Sequence, residues 1–278
     1  MDLSISEQLA YNTVRIATDA GTGTGFIYRF ALQDNGLHVP AIVTNKHVVE
    51  GAGKGEILFT LSDDKDKPLD KEHFRCQFED FESQWVPHPD EDVDLCALPI
   101  TRILNDMAEK GKKPFYIPID HSLLPSTDEL KEFKAVEDIL MVGYPNGLWD
   151  EVNNMPLFRR GITSSHPNLD WNGKEEMLID AACFPGSSGS PVFLFNEGGY
   201  VDKRGNTSLG GTRIKLLGIL YAGPQHTAQG EIEIVNVPVI DKPLAVTGIP
   251  NNLGILIKSE KLEDIDKYFQ AALLRDSK

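Results

Sequence analysis

The sequence predicts an all-β protein closed by a single helix. Three observations carry that expectation. Short apolar runs recur at 40–44, 57–61, 138–144, 158–164, 177–184 and 192–195, and Gly, Pro or acidic turns separate them, which is the pattern of a barrel or sandwich. A polar connection from about 100 to 135 divides these runs into two series. The final stretch, 259–274, changes period: Leu262, Ile265, Phe269 and Leu273 recur at helical spacing and would share one face.

Size and charge narrow the function. At 278 residues the chain can bury a large core, in one domain or in two small ones sharing an interface. The net charge of −15 argues against nucleic acid as a partner, because phosphate binding needs clustered Lys and Arg. Between 63 and 94, 12 acids face 4 Lys/Arg, which reads as a solvated acidic loop. No stretch approaches the roughly 18 apolar residues that span a bilayer, so no membrane partner is expected. Residues 1–10 lack the basic start and apolar core of a signal peptide. Three cysteines, Cys76, Cys96 and Cys183, are an odd, small number, so free thiols in a cytoplasmic, reducing compartment are expected. Their spacing offers no zinc site.

In chain order, 12–17 reads as a strand. Gly21-Thr22-Gly23-Thr24-Gly25 follows and lacks the spacing and strand–helix context of a dinucleotide fingerprint, so it reads as a flexible turn before the next strand. Gly51-Ala52-Gly53-Lys54-Gly55 misses the Gly-Lys-Ser/Thr of a phosphate loop. No cofactor is therefore expected. The strand 40–44 runs into Asn45-Lys46-His47-Val48-Val49, which puts His47 just past a strand end, at the rim of a sheet, where an imidazole can reach a cleft. Further on, Asp94 opens the apolar stretch Leu95-Cys96-Ala97-Leu98, with Asp92 as the competing acid. Thr101 is expected to cap a helix over 101–110, and Gly111-Lys112-Lys113-Pro114 ends it. Ser126-Thr127-Asp128-Glu129 opens another helical turn, reaching about Phe133.

Two apolar runs flank Cys183-Phe184-Pro185-Gly186-Ser187-Ser188-Gly189-Ser190-Pro191. A turn of Gly, Ser and Pro gathers backbone N–H groups and puts a hydroxyl at its tip. That hydroxyl is a poor nucleophile without a base. The segment from Gly186 to Pro191 fits Gly-x-Ser-Gly-(Gly or Ser)-Pro and resembles the nucleophile turn of chymotrypsin-like serine proteases, which selects Ser188 over Ser187 and Ser190. His47, after an apolar strand and Thr44, resembles the same family's base, with Asn45-Lys46 before it where the secreted enzymes have Ala-Ala. Asp94 fits the family's Asp-apolar-x-apolar pattern. The order His47, Asp94, Ser188 is that of the chymotrypsin-like enzymes and differs from subtilisin and the α/β-hydrolases. The chain thus resembles the trypsin-like family over nearly its whole length, and intracellular bacterial proteases of the high-temperature-requirement type more than digestive ones, without a PDZ-like domain.

That resemblance implies two six-stranded antiparallel β-barrels and a C-terminal helix: 1–115 carrying His and Asp, a connection over 116–135, a second barrel over 136–258 carrying Ser and the specificity pocket, and the helix over 259–278. It implies a serine endopeptidase acting on a protein or peptide through an acyl-enzyme, with the Gly186 and Ser188 N–H groups as oxyanion donors. Tyr221, Ala222 and Gly223 would pair with substrate backbone. The pocket-base position is Ala182, and with Gly223 and Gly254 it implies an uncharged pocket for an apolar residue. Digestive relatives carry Asp just before the nucleophile, paired with a newly cut N-terminus. Ser187 stands there, so control is expected from a regulatory partner or the substrate. The stretch 225–250 is long and is expected to form a hairpin beside the cleft, where Glu231 and Glu233 would meet a basic segment. The competing readings are an inactive protease-like module that binds peptides by strand addition and an esterase using the same residues.

Overall fold

The fold is described from a computed structural model over residues 3–223, 225–231, 244–250 and 252–276. The first helix, α1 (Ile5–Ala10), is opened by Ser4, whose hydroxyl accepts from Glu7 N while the Glu7 carboxylate accepts from Ser4 N, a capping box. β1 (Thr13–Thr18), β2 (Thr22–Phe30), β3 (Val39–Thr44), β4 (Lys54–Ser62), β5 (Pro68–Glu79), β6 (Val86–Pro87) and β7 (Cys96–Pro99) form a seven-stranded antiparallel sheet in the order β5-β4-β1-β2-β3-β7-β6. A short helix, α2 (Lys46–Val49), follows β3, and α3 (Thr101–Glu109) follows β7.

This sheet differs from its sequence reading in three ways. It is not closed, so the expected first six-stranded barrel is replaced by an open sheet with β5 and β6 at its edges. The acidic stretch is not all loop: β5 pairs with β4 along its length, and its Lys71, Glu72, Arg75, Gln77 and Glu79 are the charged and polar residues that protect an edge strand. Of the glycine run 21–25 only Gly21 is in the turn; residues 22–25 lie in β2, where a Cβ at Gly23 would fall 2.4 Å from Val48 Cγ1, so the glycine lets the two segments touch. In α3 the cap is Ile100 and not Thr101, and no side chain bonds it.

The connection carries α4 (Thr127–Glu132), where the predicted Ser126 cap and Glu129 partner form a second capping box. β8 (Asp138–Gly143), β9 (Leu157–Thr163), β10 (Glu176–Asp180), β11 (Pro191–Asn196), β14 (Arg213–Ala222) and β17 (Leu253–Lys258) close into a six-stranded antiparallel barrel, in the order β10-β17-β14-β11-β8-β9, as the resemblance implied for this half. Two hairpins branch from it: β12 (Gly199–Val201) with β13 (Thr207–Leu209), and β15 (Gln225–Glu231) with β16 (Leu244–Pro250).

The closing helix, α5 (Leu262–Asp276), buries the face read from the sequence. Leu262, Ile265 and Phe269 are buried and Leu273 packs beside them. That face joins one continuous core made of Phe26, Tyr28 and Phe30 from the sheet and Val142, Phe193 and Ile219 from the barrel. Each half also has its own cluster, around Ile16, Ile42 and Phe81 in the sheet and around Met141, Ile179 and Leu194 in the barrel. The central core is what fixes the sheet against the barrel, and the candidate site lies along that seam.

Candidate active site

β3 delivers His47. Its last residue, Thr44, and the fully buried Asn45 anchor the start of α2, with Asn45 Nδ2 donating to the Asp94 carbonyl at 2.8 Å. The Asp94 carboxylate then holds His47 twice. Oδ1 accepts from the His47 backbone N–H at 3.1 Å, and Oδ2 lies 2.5 Å from Nδ1. A carboxylate can only accept, so Nδ1 carries the proton and Nε2 is left as the basic nitrogen. Asp92 takes no part: its N–H donates to Asp90 Oδ1 at 3.0 Å within the exposed loop.

Two consecutive turns build the segment from Phe184 to Ser190. Ser187 N–H donates to the Phe184 carbonyl at 3.0 Å around Pro185-Gly186, and Ser190 N–H donates to the Ser187 carbonyl at 3.0 Å around Ser188-Gly189. Gly186 has φ +83° and Gly189 φ +85°, the left-handed region that the third residue of a type II turn requires. The turn is docked on the sheet: Thr24 N–H donates to the Ser188 carbonyl at 2.9 Å, and a Cβ at Gly189 would fall 1.9 Å from the Thr24 carbonyl. Ser188 is half-buried at the tip, whereas Ser187 and Ser190 are buried with unpartnered hydroxyls. Among the described residues no hydrogen bond joins Ser188 Oγ to His47.

The peptide planes around Ser188 have a definite orientation. In a trans peptide the C=O and the N–H point in opposite directions. Asn146 N–H donates to the Pro185 carbonyl at 2.5 Å, and Ser190 N–H occupies the Ser187 carbonyl. The Gly186 and Ser188 N–H groups therefore point away from those partners, and neither donates to a described residue.

The other sequence-selected residues meet beside this turn. A Cβ at Gly254 would lie 2.7 Å from Cys183 Sγ, and one at Gly223 would lie 3.9 Å from Cys183 Cβ, so the Cys183 side chain stands between the two glycines. Burial pushes its thiol up to about 11. β11 leaves β14 at Ile219, past which only the Ser190–Leu220 and Gly189–Leu220 bonds remain. Tyr221 and Ala222 are half-buried, with Tyr221 Oη donating to Glu176 Oε1 at 2.8 Å. Glu231 ends β15, and Glu233 lies outside the described residues.

Two residues were not found from the sequence. Arg159, on β9, donates from Nη1 to the Ala182 carbonyl and lies 4.7 Å over the Phe184 ring. Desolvation lowers its guanidinium pKa. It was hidden because nothing in the sequence pairs β9 with the 182–184 segment. Thr24 was hidden inside a glycine run. A cleft of about 540 Å³ opens next to His47 and Asp94, with Glu50, Glu82 and Asp92 on its walls. Among the described residues no cluster of His, Cys, Asp and Glu has the geometry to hold a metal.

One comparison with known proteins identifies a family. The family model for the trypsin-like peptidase domain matches residues 23–201, more than half of the chain and the span that holds His47, Asp94 and Ser188. No curated protein matches the sequence. Among solved structures the chain is similar to the HtrA-type protease AlgW with a decapeptide (16% identity, 95% of this chain and 67% of that one, TM-score 0.49). It is also similar to an inactive form of Rv3671c from M. tuberculosis (16% identity, 93% and 86%, TM-score 0.44) and to the MamO protease domain from Magnetospirillum magneticum (12% identity, 93% and 97%, TM-score 0.44). On the family match the chain belongs to the trypsin-like peptidase family, the serine proteases of the chymotrypsin type.

Proposed function

We propose that this protein is a serine endopeptidase in which His47, Asp94 and Ser188 act together. The observation that carries this reading is the double hold of Asp94 on His47, which turns the Nδ1 proton to the carboxylate on an exposed ring and leaves Nε2 without a hydrogen-bond partner among the described residues. In the proposed reaction Ser188 Oγ attacks the scissile carbonyl carbon while His47 Nε2 takes its proton. The carbonyl oxygen becomes the oxyanion, received by the Gly186 and Ser188 N–H groups. His47 then gives the proton to the leaving amine as the C–N bond breaks, and water cleaves the acyl-enzyme by the same steps. The substrate backbone pairs with Tyr221–Gly223, and its side chain enters the space around Ala182, Gly223 and Gly254. Ser187 carries no charge to pair with a cut N-terminus, so control falls to a protein partner or to substrate. The acidic walls of the cleft beside His47 favour substrates with basic residues near the cut.

A fluorophosphonate probe tests this reading. Intact mass and peptide mapping should place the label on Ser188 in the wild type and find none in Ser188→Ala or His47→Ala. The missing Ser188–His47 hydrogen bond favours one second reading, a peptide-binding module without turnover. Absence of label on the wild type together with unchanged peptide binding in Ser188→Ala would establish it.

A further inference from the structure

Thr24 is fully buried, and two of its hydrogen bonds reach the nucleophile turn directly. Its N–H donates to the Ser188 carbonyl at 2.9 Å, and its carbonyl accepts from Thr44 Oγ1 at 2.7 Å. Its hydroxyl does two things at once. Oγ1 donates to the Gly186 carbonyl at 3.0 Å and accepts from Tyr144 N–H at 3.0 Å. A threonine hydroxyl has one proton and two lone pairs, so both bonds are met by the one group.

The first bond holds the peptide plane that lies between the two donor planes, and the second ties the same hydroxyl to the 144–146 segment that bonds one of them. The plane between Gly186 and Ser187 is held at its carbonyl by Thr24 Oγ1 and at its N–H by the Phe184 carbonyl. The plane between Pro185 and Gly186 is held by Asn146 N–H, two residues after Tyr144, and Tyr144 N–H is bonded to the same hydroxyl. The plane between Ser187 and Ser188 is held at its carbonyl by Ser190 N–H and adjoins the Gly186–Ser187 plane that Thr24 holds. A reversal of the Gly186–Ser187 plane would turn the Gly186 carbonyl off its donor and leave a buried hydroxyl without an acceptor, which costs more than the bond itself was worth.

We propose that Thr24 is the positioning residue of the oxyanion hole, its hydroxyl fixing the peptide planes so that the Gly186 and Ser188 N–H groups are preformed for catalysis without an N-terminal ion pair. The proposal rests on the endopeptidase reading above and assigns Thr24 no contact with substrate. The hole is then competent in the chain as folded, and any control acts on access to the cleft or on substrate capture.

Fluorophosphonate inactivation measures this directly. Ser188 Oγ attacks phosphorus as its proton passes to His47 Nε2, the O–P bond forms, the P–F bond breaks, fluoride leaves and the phosphonyl oxygen takes the oxyanion's place. The maximal inactivation rate and the concentration giving half of it are measured for wild type, Thr24→Val and Thr24→Ser, with thermal melts alongside. Thr24→Val keeps the shape and loses the hydroxyl; its maximal rate should fall about 100-fold, the cost of losing one oxyanion donor, with half-saturation within about threefold of wild type. Thr24→Ser keeps the hydroxyl and should restore the rate to within about tenfold of wild type. If Thr24→Val does not fold, Thr24→Ala carries the same comparison against Thr24→Ser. An unchanged rate in the variant lacking the hydroxyl, or an equal loss in Thr24→Ser, overturns the role of Thr24 while leaving the endopeptidase reading intact. Failure to label wild-type Ser188 overturns both.

Discussion

The position of one proton separates His47 from a merely structural histidine. Asp94 accepts from Nδ1, and in the neutral ring that tautomer makes Nε2 the accepting nitrogen. Asp94→Asn offers an amide N–H in the carboxylate's place and favours the wrong tautomer. Its kcat is expected to fall about 10⁴-fold at neutral pH, with a nearly unchanged melting temperature. Peptide hydrolysis assays with a thermal melt check this. The cysteines give a second expectation. Burial raises the Cys76 and Cys183 thiols from the ordinary 9.0 to about 11 each, and raises Cys96 as well. The folded protein therefore holds protons that the unfolded chain releases near 9.0, so stability is full below that pH and falls as pH rises from about 9 to about 11. Urea unfolding at about pH 8 and about pH 10.5 should show that loss, and Cys183→Ala should lessen it.

The nucleophile turn depends on its glycines at the scale of elements. A Cβ at Gly189 would fall 1.9 Å from the Thr24 carbonyl, at a φ of +85°. Gly189→Ala is expected to cost more than the roughly 1–3 kcal/mol of backbone strain alone, read as a lower denaturation midpoint together with lost labelling of Ser188. Arg159 braces the segment between β10 and the turn, through the Ala182 carbonyl and the Phe184 ring. The parts of this element that were legible in the sequence are those written in short-range chemistry. The exit of strand 40–44 pointed to His47 and the apolar run after Asp94 pointed to Asp94, which the structure brings together; Ser188 was selected by the resemblance of Gly186–Pro191 to a family pattern. Long-range pairing was not legible. Thr24 and Arg159 reach the turn from residues 162 and 23 positions away in sequence, and a lone Thr among glycines carries no local signal of such a partner. β5 was missed for a related reason: an edge strand facing water needs charge, and charge reads as loop. Barrel closure depends on whether the first and last strands meet, which no local pattern records, so the sheet's open edge was found only in the structure.

One buried core is shared by sheet, barrel and α5, so the whole molecule is expected to unfold as one cooperative unit. Phe269 packs on Phe30 with ring centroids 5.3 Å apart, and Asp266 accepts from Ala31 N–H at 2.6 Å, so α5 bolts to the sheet although it follows the barrel in sequence. Phe269→Ala is expected to cost about 3–5 kcal/mol and to lower a single unfolding transition without splitting it in two. Calorimetry distinguishes these outcomes. The shared core also means that His47 and Ser188, the proposed base and nucleophile, arrive from opposite sides of one seam, across which Thr24 bonds the turn. The protein is thereby built as its own two-part reporter. If it were cut in the 116–135 connection and its halves were expressed apart, one fragment would hold His47 and Asp94 with nothing to deprotonate. The other would hold Ser188 on a turn stripped of Thr24. Neither would take a fluorophosphonate label, and mixing them would restore labelling only to the extent that the two surfaces re-formed their common core.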